Sequence, residues 1–340
     1  MNKLGTAVIG MGVGERHANF YKKFSKTNLI KIYEKNKIIS AKFKKKYTKV
    51  DFVENENKIF EDQKVKLISI ASYDNYHFKQ VIKAINYKKH IFVEKPICLF
   101  LNELKKISKA LRKNPTIKLS SNLILRGSPQ FKKIKSLVNK KKLGKIYYLE
   151  ADYNYGRLHK ILDGWRNKIP YYSVNSGGAV HMVDQIIWMI GELPYQVKAE
   201  SNKIVTRNTK FRFNDFSVAL LKFKSGKIAK ISSNFGCVTP HHHSLKIFGS
   251  KATISHSYKG AEYYTSRDKR KKIQIFKLNF KKNEKNEILK NFVNNILKEN
   301  KKNLIKFNEI INAMLICFAI EKSSKTNKKV RIDYKNIKII

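Results

Sequence analysis

Glu94-Lys95-Pro96 closes a short apolar run, His90 to Val93, and is the most specific triplet in the sequence. A lysine held at the carboxyl end of a buried strand can donate a hydrogen bond to a substrate hydroxyl. It also sets positive charge beside a developing alkoxide while hydride leaves the same carbon. The proline fixes the local backbone, and a cis bond there would aim the lysine. A second proton-handling candidate is His181, in Ser176-Gly177-Gly178-Ala179-Val180-His181-Met182-Val183-Asp184. On a helix, positions 181 and 184 share a face, so Asp184 can orient His181 or meet substrate itself. His181 is the expected acid/base and Lys95 the alternative; a histidine that merely caps or packs the helix would look the same in sequence.

Gly10-Met11-Gly12-Val13-Gly14 follows the first apolar run directly and opens the first helical segment. A tight turn, close backbone approach and a free helix N-terminus aimed at an anion are what a dinucleotide pyrophosphate needs. The spacing is G-x-G-x-G, one residue shorter than the usual fingerprint. Glu34 stands at the end of the second run, about 20 residues past the loop, where a carboxylate accepts from ribose hydroxyls. It favours NAD, while Lys35 and Lys37 nearby leave NADP open. Ser72, Tyr73, Asp74 and His77 follow the next run and, with Glu94 and Lys95, lie at carboxyl ends of parallel strands. Doubly wound sheets place ligands there, so these residues join Gly10 to Gly14 and Glu34 as expected cofactor contacts.

Tyr153, Tyr155, Arg157, His159 and Lys160 form an aromatic and basic stretch, with Gly164-Trp165-Arg166 after it. Ring faces for stacking and donors for hydroxyls or an acid group suit a sugar, although tyrosines also pack on sheet surfaces. In His241-His242-His243 an extended backbone puts His241 and His243 on one face and His242 on the other. That leaves at most two ligands where a tetrahedral metal wants more, so the expectation is no metal, with His241 and His243 as substrate contacts. Tyr155, Arg157, His159, Trp165, Arg166 and Asp184 complete the expected substrate set.

These residues need elements to hold them. From Thr6 to about Ser121, apolar runs (Thr6 to Ile9, Leu29 to Tyr33, Leu67 to Ala71, His90 to Val93, Lys118 to Ser121) alternate with segments of helical spacing. That rhythm requires crossovers and a parallel sheet with helices on both faces. Beyond Asn122 strands dominate, with turn signals at Ser225-Gly226 and Gly249 to Lys251, and a helix over Gly178 to Ile190 closed by Gly191 and Pro194. The fold class expected is α/β: an N-terminal Rossmann doubly wound parallel sheet over 1–121, then an α+β domain with an open, mostly antiparallel sheet over 122–340. Two domains also suit 340 residues with 42% hydrophobic content.

Lys and Arg number 72 against 25 Asp and Glu, a net charge of +47. Only ten of the basic residues are arginine, and the lysines are scattered through every kind of segment. A nucleic-acid binder concentrates charge on one face and carries a recognisable module, so no nucleic-acid partner is expected; the charge attracts anionic small molecules instead. Cys98, Cys237 and Cys317 are odd in number, with no C-x-x-C spacing, which suits a reducing compartment. No apolar stretch approaches the ~20 residues of a membrane span, and glycines interrupt the first run before an export signal could form. A cytoplasmic protein with no membrane partner is expected.

Taken together, Gly10 to Gly14 with His17, Glu34, Ser72 to His77, Glu94-Lys95-Pro96 and the Gly177-Gly178 to Asp184 helix resemble the Gfo/Idh/MocA oxidoreductases. The resemblance spans essentially the whole chain. It implies hydride transfer with NAD(P) on sugars, cyclitols or their derivatives, and homodimers or homotetramers built through the C-terminal sheet. Many members carry D-x-x-x-H before the helix; here the Asp is missing and the segment looks shortened. H-x-x-D, Trp188 and Gly191 match the rest. Redox-assisted glycosidase or lyase chemistry with bound NAD, and a non-catalytic nucleotide or sugar sensor, remain the alternatives.

Overall fold

Six strands alternate with helices along the first third of the chain. They are β1 (Leu4–Ile9), β2 (Thr27–Tyr33), β3 (Asp51–Val53), β4 (Leu67–Ile70), β5 (His90–Val93) and β6 (Leu119–Ser121). The helices between them are α1 (Gly14–Lys23), α2 (Lys37–Lys46), α3 (Asn57–Glu61), α4 (Asp74–Asn86) and α5 (Leu101–Arg112). The computed structural model describes residues 3–279, 286–299 and 303–335. All pairings in this sheet are parallel, in the order β3-β2-β1-β4-β5-β6. That is the doubly wound order, whose crevice opens where β1 and β4 diverge. Every residue of β1 and β4 is buried, which is why both read as mostly apolar runs, with only Thr6 and Ser69 polar, and not as alternations. β3 and α3 carry no sequence signal, because three and five residues are too few to show a period.

The second sheet is built after α6 (Pro129–Asn139) from β7 (Ile146–Asn154), α7 (His159–Leu162), α8 (Val180–Ile190), β8 (Gln196–Asn202), β9 (Phe216–Lys222) and β10 (Ile228–Asn234). It continues through β11 (His242–Gly249), β12 (Thr253–Ser257), β13 (Gly260–Tyr264) and β14 (Gln274–Phe276). Past α9 (Glu287–Ile296) and α10 (Phe307–Thr326), β15 (Val330–Arg331) completes a nine-stranded order, β14-β13-β12-β11-β7-β10-β9-β8-β15. It is antiparallel except where β7 runs parallel to β10. Leu149, Ala151 and Tyr153 of β7 are buried and their neighbours less so, the alternation of a sheet with one covered face. α8 ends on Gly191 at φ +72°, a left-handed cap that glycine adopts without strain.

The contacts divide the chain into two units. One holds the described residues up to Asn122 together with those from Asn286 to Asn308; the other holds 123–279 and those from Glu309 on. Phe292 of α9 puts its ring 5.9 Å from that of Phe92, and Lys118 Nζ donates to the carbonyl of Asn295. The chain thus returns to the first unit between β14 and β15 of the second sheet, a return for which a single boundary at 121/122 has no provision.

Candidate functional site

In the first unit the glycine loop sits at the carboxyl end of β1. Gly10 has φ +88°, and a Cβ there would lie 2.6 Å from the carbonyl oxygen of Ala71, so both backbone and space demand glycine. Gly12 faces open space, with nothing within 4 Å of an added Cβ. No side chain caps α1 at Val13, so its first amides point outward as anion donors. Met11 is buried but contributes its backbone: its N–H donates to Glu34 Oε2 at 2.6 Å, and Asn36 N–H donates to Glu34 Oε1 at 2.9 Å. The carboxylate is thereby held at the end of β2, each oxygen keeping a further lone pair. An open glycine cradle, an uncapped helix and a tethered carboxylate fit a dinucleotide.

His77 does not belong to that set. It is fully buried; its Nδ1 lies 2.7 Å from the carbonyl oxygen of Pro96 and its Nε2 3.0 Å from that of Ser72. Both ring nitrogens are turned to backbone carbonyls and the N–H has an acceptor there, so the expected cofactor contact at His77 is corrected to a staple between the loops after β4 and β5. Ser72 Oγ donates to Gln80 Oε1, Tyr73 is exposed, and Asp74 is buried at the start of α4.

Glu94 is likewise turned inward. Its Oε1 lies 3.2 Å from His17 Nε2 and accepts from Asn122 Nδ2 at 2.7 Å. Burial works to raise the carboxyl pKa, but the His17 and Asn122 contacts and the Lys95 charge outweigh it and hold Glu94 below its ordinary value, as an anion. The expected cofactor contact through this carboxylate is therefore corrected to a buried anchor for the turn. Lys95 is half-buried and its bond to Pro96 is cis.

In the second unit the sheet gathers most of the expected substrate residues. Tyr153 on β7 stacks on His181 at 6.2 Å, and its ring meets His241 at 5.4 Å and His243 at 5.2 Å. His181 and His243 lie edge to face at 5.7 Å. Tyr155 stacks on Phe235 at 4.4 Å, and the guanidinium groups of Arg157 and Arg166 lie over the Tyr155 ring at 5.8 and 5.7 Å. Arg166 also covers Trp165 at 4.5 Å and donates to the Tyr172 hydroxyl. His242 faces away, toward Asn154 and Tyr258. Burial first, then the Arg157 charge, lowers His241 to about 4, so it is neutral near pH 7. Among the described residues no group of three or more His, Cys, Asp or Glu could hold a metal.

Gly177 and Gly178 have a packing reason. They lie in a π-helical turn, Asn175–Ala179, immediately before α8. A Cβ on Gly178 would strike the rings of Tyr153 and Phe235 at 2.7 to 2.8 Å, and one on Gly177 the Tyr172 hydroxyl at 2.5 Å. Only glycine lets α8 begin against this aromatic layer.

Two expected residues stand elsewhere. His159 opens α7 and is exposed, outside the ring contacts just described. Asp184 is buried and turned to Arg126, whose Nε lies 3.1 and 3.0 Å from its two oxygens while Nη2 donates to Oδ1 at 2.7 Å. Arg126 Nη1 also reaches Glu309 Oε1 at 2.7 Å. The idea that Asp184 orients His181 or meets substrate is corrected: a buried guanidinium takes the carboxylate, because neither charge tolerates the interior alone. Sequence reasoning missed Arg126, Tyr172 and Phe235. The scarcity of arginine was a usable signal, since an arginine within Leu123-Ile124-Leu125-Arg126 asks for a buried forked partner.

Comparison with known proteins finds relatives across both units. Residues 4–122 match the profile described as "Oxidoreductase family, NAD-binding Rossmann fold", and residues 131–255 match the GFO/IDH/MocA C-terminal domain. The chain is 26% identical over 253 residues to myo-inositol 2-dehydrogenase of Thermotoga maritima, covering 73% of each. Among solved structures, myo-inositol 2-dehydrogenase from Lactobacillus plantarum superposes with a TM-score of 0.83 at 20% identity, over 98% of this chain and 100% of the other. Levoglucosan dehydrogenase in complex with NADH and L-sorbose superposes at 0.84 with 17% identity, over 98% and 100%. At such identities the two superpositions speak for the fold.

Proposed function

The chain belongs to the Gfo/Idh/MocA oxidoreductase family, and on that footing we propose that it is an NAD-dependent dehydrogenase. It would move hydride to or from a hydroxyl- or carbonyl-bearing carbon of a sugar, cyclitol or related derivative. The observation that carries this reading is the second unit's cluster: His181 against Tyr153 and His243, beside Tyr155, Arg157 and Arg166. Ring faces that stack on a sugar, donors for its hydroxyls and a proton-handling imidazole are what such a substrate needs. The names of the inositol and levoglucosan dehydrogenases point to the same substrate class.

A nicotinamide dinucleotide held by the glycine loop and Glu34 would supply the hydride chemistry. The protein's own residues do the rest. Backbone amides of Gly10 to Gly14 and the start of α1 hold the pyrophosphate, and Glu34 accepts from the ribose hydroxyls. Ser72, Tyr73 and Asp74 line the neighbouring strand end. In the first unit Lys95 would supply a donor and positive charge for a reacting oxygen, and in the second His181 would take or give a hydroxyl proton. Arg157 and Arg166 bind hydroxyls or an acid group, with Trp165, His241 and His243 completing the pocket wall.

A homodimer or homotetramer through the outer face of the second sheet is part of this reading, supported by Leu220 and Ile228, 49% and 40% exposed there. So is a cytoplasmic location, supported by three free cysteines. No helix among the described residues is long and apolar enough to cross a membrane.

Titration of the purified protein with NAD(H) and NADP(H) by calorimetry, then a screen of sugars, cyclitols and sugar acids by nicotinamide absorbance, tests the proposal. Cofactor binding with turnover is expected. Binding without any absorbance change across the screen would count against the dehydrogenase, and no binding would remove its cofactor site.

A further inference from the structure

Tyr171 and Tyr172 are adjacent in sequence but turn to different neighbours. Tyr172 joins Trp165, Phe235 and Arg166, whereas Tyr171 meets Phe213, Glu321 and Lys325. On the Tyr171 side the second unit contains a cleft of about 230 Å³. Its lining mixes the rings of Tyr171 and Phe213 with polar side chains, among them Ser173, Asn175, Ser217 and Glu321.

Its floor comes from the sheet. Ser201, Ser217 and Ser233 are direct cross-strand partners on β8, β9 and β10, and the same row continues through Tyr153 to His243. Two strand spacings, about 10 Å, separate Ser217 from Tyr153. Ser201 Oγ accepts from Asn214 Nδ2, and Ser233 Oγ donates to the carbonyl of Val174. Ser217, which lines the cleft, is 1% exposed and its Oγ has no hydrogen-bond partner. A buried hydroxyl left unpaired is costly, and a water, an ion or a ligand that meets it removes that cost.

The rim is charged. Arg212 spends one donor on the carbonyl of Ile169 and leaves the rest of its fork, and Lys325 stands over the Tyr171 ring. Opposite charge comes from Glu321, whose Oε1 accepts from Ser173 Oγ and Asn175 Nδ2 while its Oε2 meets only a long contact of 3.5 Å from Tyr171. Two cations, one partly satisfied carboxylate and one orphaned hydroxyl select a ligand with a negative group and at least one hydroxyl.

We propose that this cleft is a second small-molecule site, distinct from the histidine and tyrosine cluster, that binds a short hydroxy-carboxylate. Arg212 and Lys325 take its carboxylate, and Ser217 and Glu321 take its hydroxyl. The 171–175 segment is the wall that the cleft shares with the cluster. The proposal does not rest on NAD chemistry.

The test is calorimetry on the full chain with D-glycerate, against glycerol, which lacks the carboxylate, and propionate, which lacks the hydroxyls. D-glycerate should bind saturably at one site, at least about tenfold tighter than either comparator. Arg212→Ala and Ser217→Ala should each weaken it about tenfold or more while retaining the parent's melting transition, and Arg166→Ala should leave it unchanged. Absence of saturable binding, equal affinity for the three compounds, or binding lost in Arg166→Ala but kept in Arg212→Ala would overturn the proposal; the last would assign the ligand to the aromatic cluster.

Discussion

Arg126 grips both carboxylate oxygens of Asp184 in the interior of the second unit, at 2.7 to 3.1 Å and with both side chains at most 3% exposed. Burial presses the Asp184 carboxyl upward in pKa, and the guanidinium pulls against it. Each charge is the condition for burying the other, so the H-x-x-D spacing that looks catalytic on α8 serves to anchor that helix.

Removing one partner should therefore act on stability. Asp184→Ala takes from a buried guanidinium the carboxylate that holds its Nε and Nη2, and breaking such a pair costs about 3–5 kcal/mol. Urea denaturation should show that loss. A variant of parental stability with a raised KM would return Asp184 to the substrate.

Lys95→Ala should lower kcat by about 100-fold or more, the usual worth of a positioned proton-transfer group, with NAD affinity largely intact. His181→Gln should fall in the same range. Single-turnover absorbance together with calorimetric NAD titration separates the two readouts, and parental activity in Lys95→Ala would sink the mechanism.

Glu34→Ser should relax discrimination against NADP by about tenfold, the scale of one charge-assisted contact. The ratio of kcat/KM for the two cofactors reads this directly. Because Glu34 also accepts from Met11 and Asn36, affinity for NAD itself should drop as well. An unchanged preference would remove Glu34 from the ribose.

Acid should weaken the fold before the carboxylates titrate. His90, His241 and His256 are each lowered by burial from 6.5 to about 4. A histidine whose folded pKa is depressed contributes stability that is full above its unfolded value of about 6.5 and is lost as pH falls toward the folded one. The urea midpoint should decline between pH 6.5 and 5, and His256→Asn should make that decline shallower. A flat profile in the parent would contradict these depressed values.

Local patterns carried much of this architecture. β1, β4 and β5 were readable because a strand buried on both faces is mostly apolar, and the glycine loop because Gly10 and Gly14 pack against Ala71 where a side chain would clash. His241 and His243 could be paired from strand alternation alone. β3 and α3 were too short to show a period, and the return of α9 to the first unit has no local signature.

Chain order and residue type thus determined the parallel sheet, the glycine loop and the aromatic and basic stretches from which the candidate site is made. Only the tertiary structure decided which polar groups are already spent. His77, Glu94 and Asp184 read as ligand-facing residues, yet each is turned inward to a partner 19 to 77 positions away, at Pro96, His17 and Arg126. The reason is physical: a buried polar group must be satisfied by whatever the fold brings to it, and that partner is chosen by packing across the chain, where sequence spacing has no say.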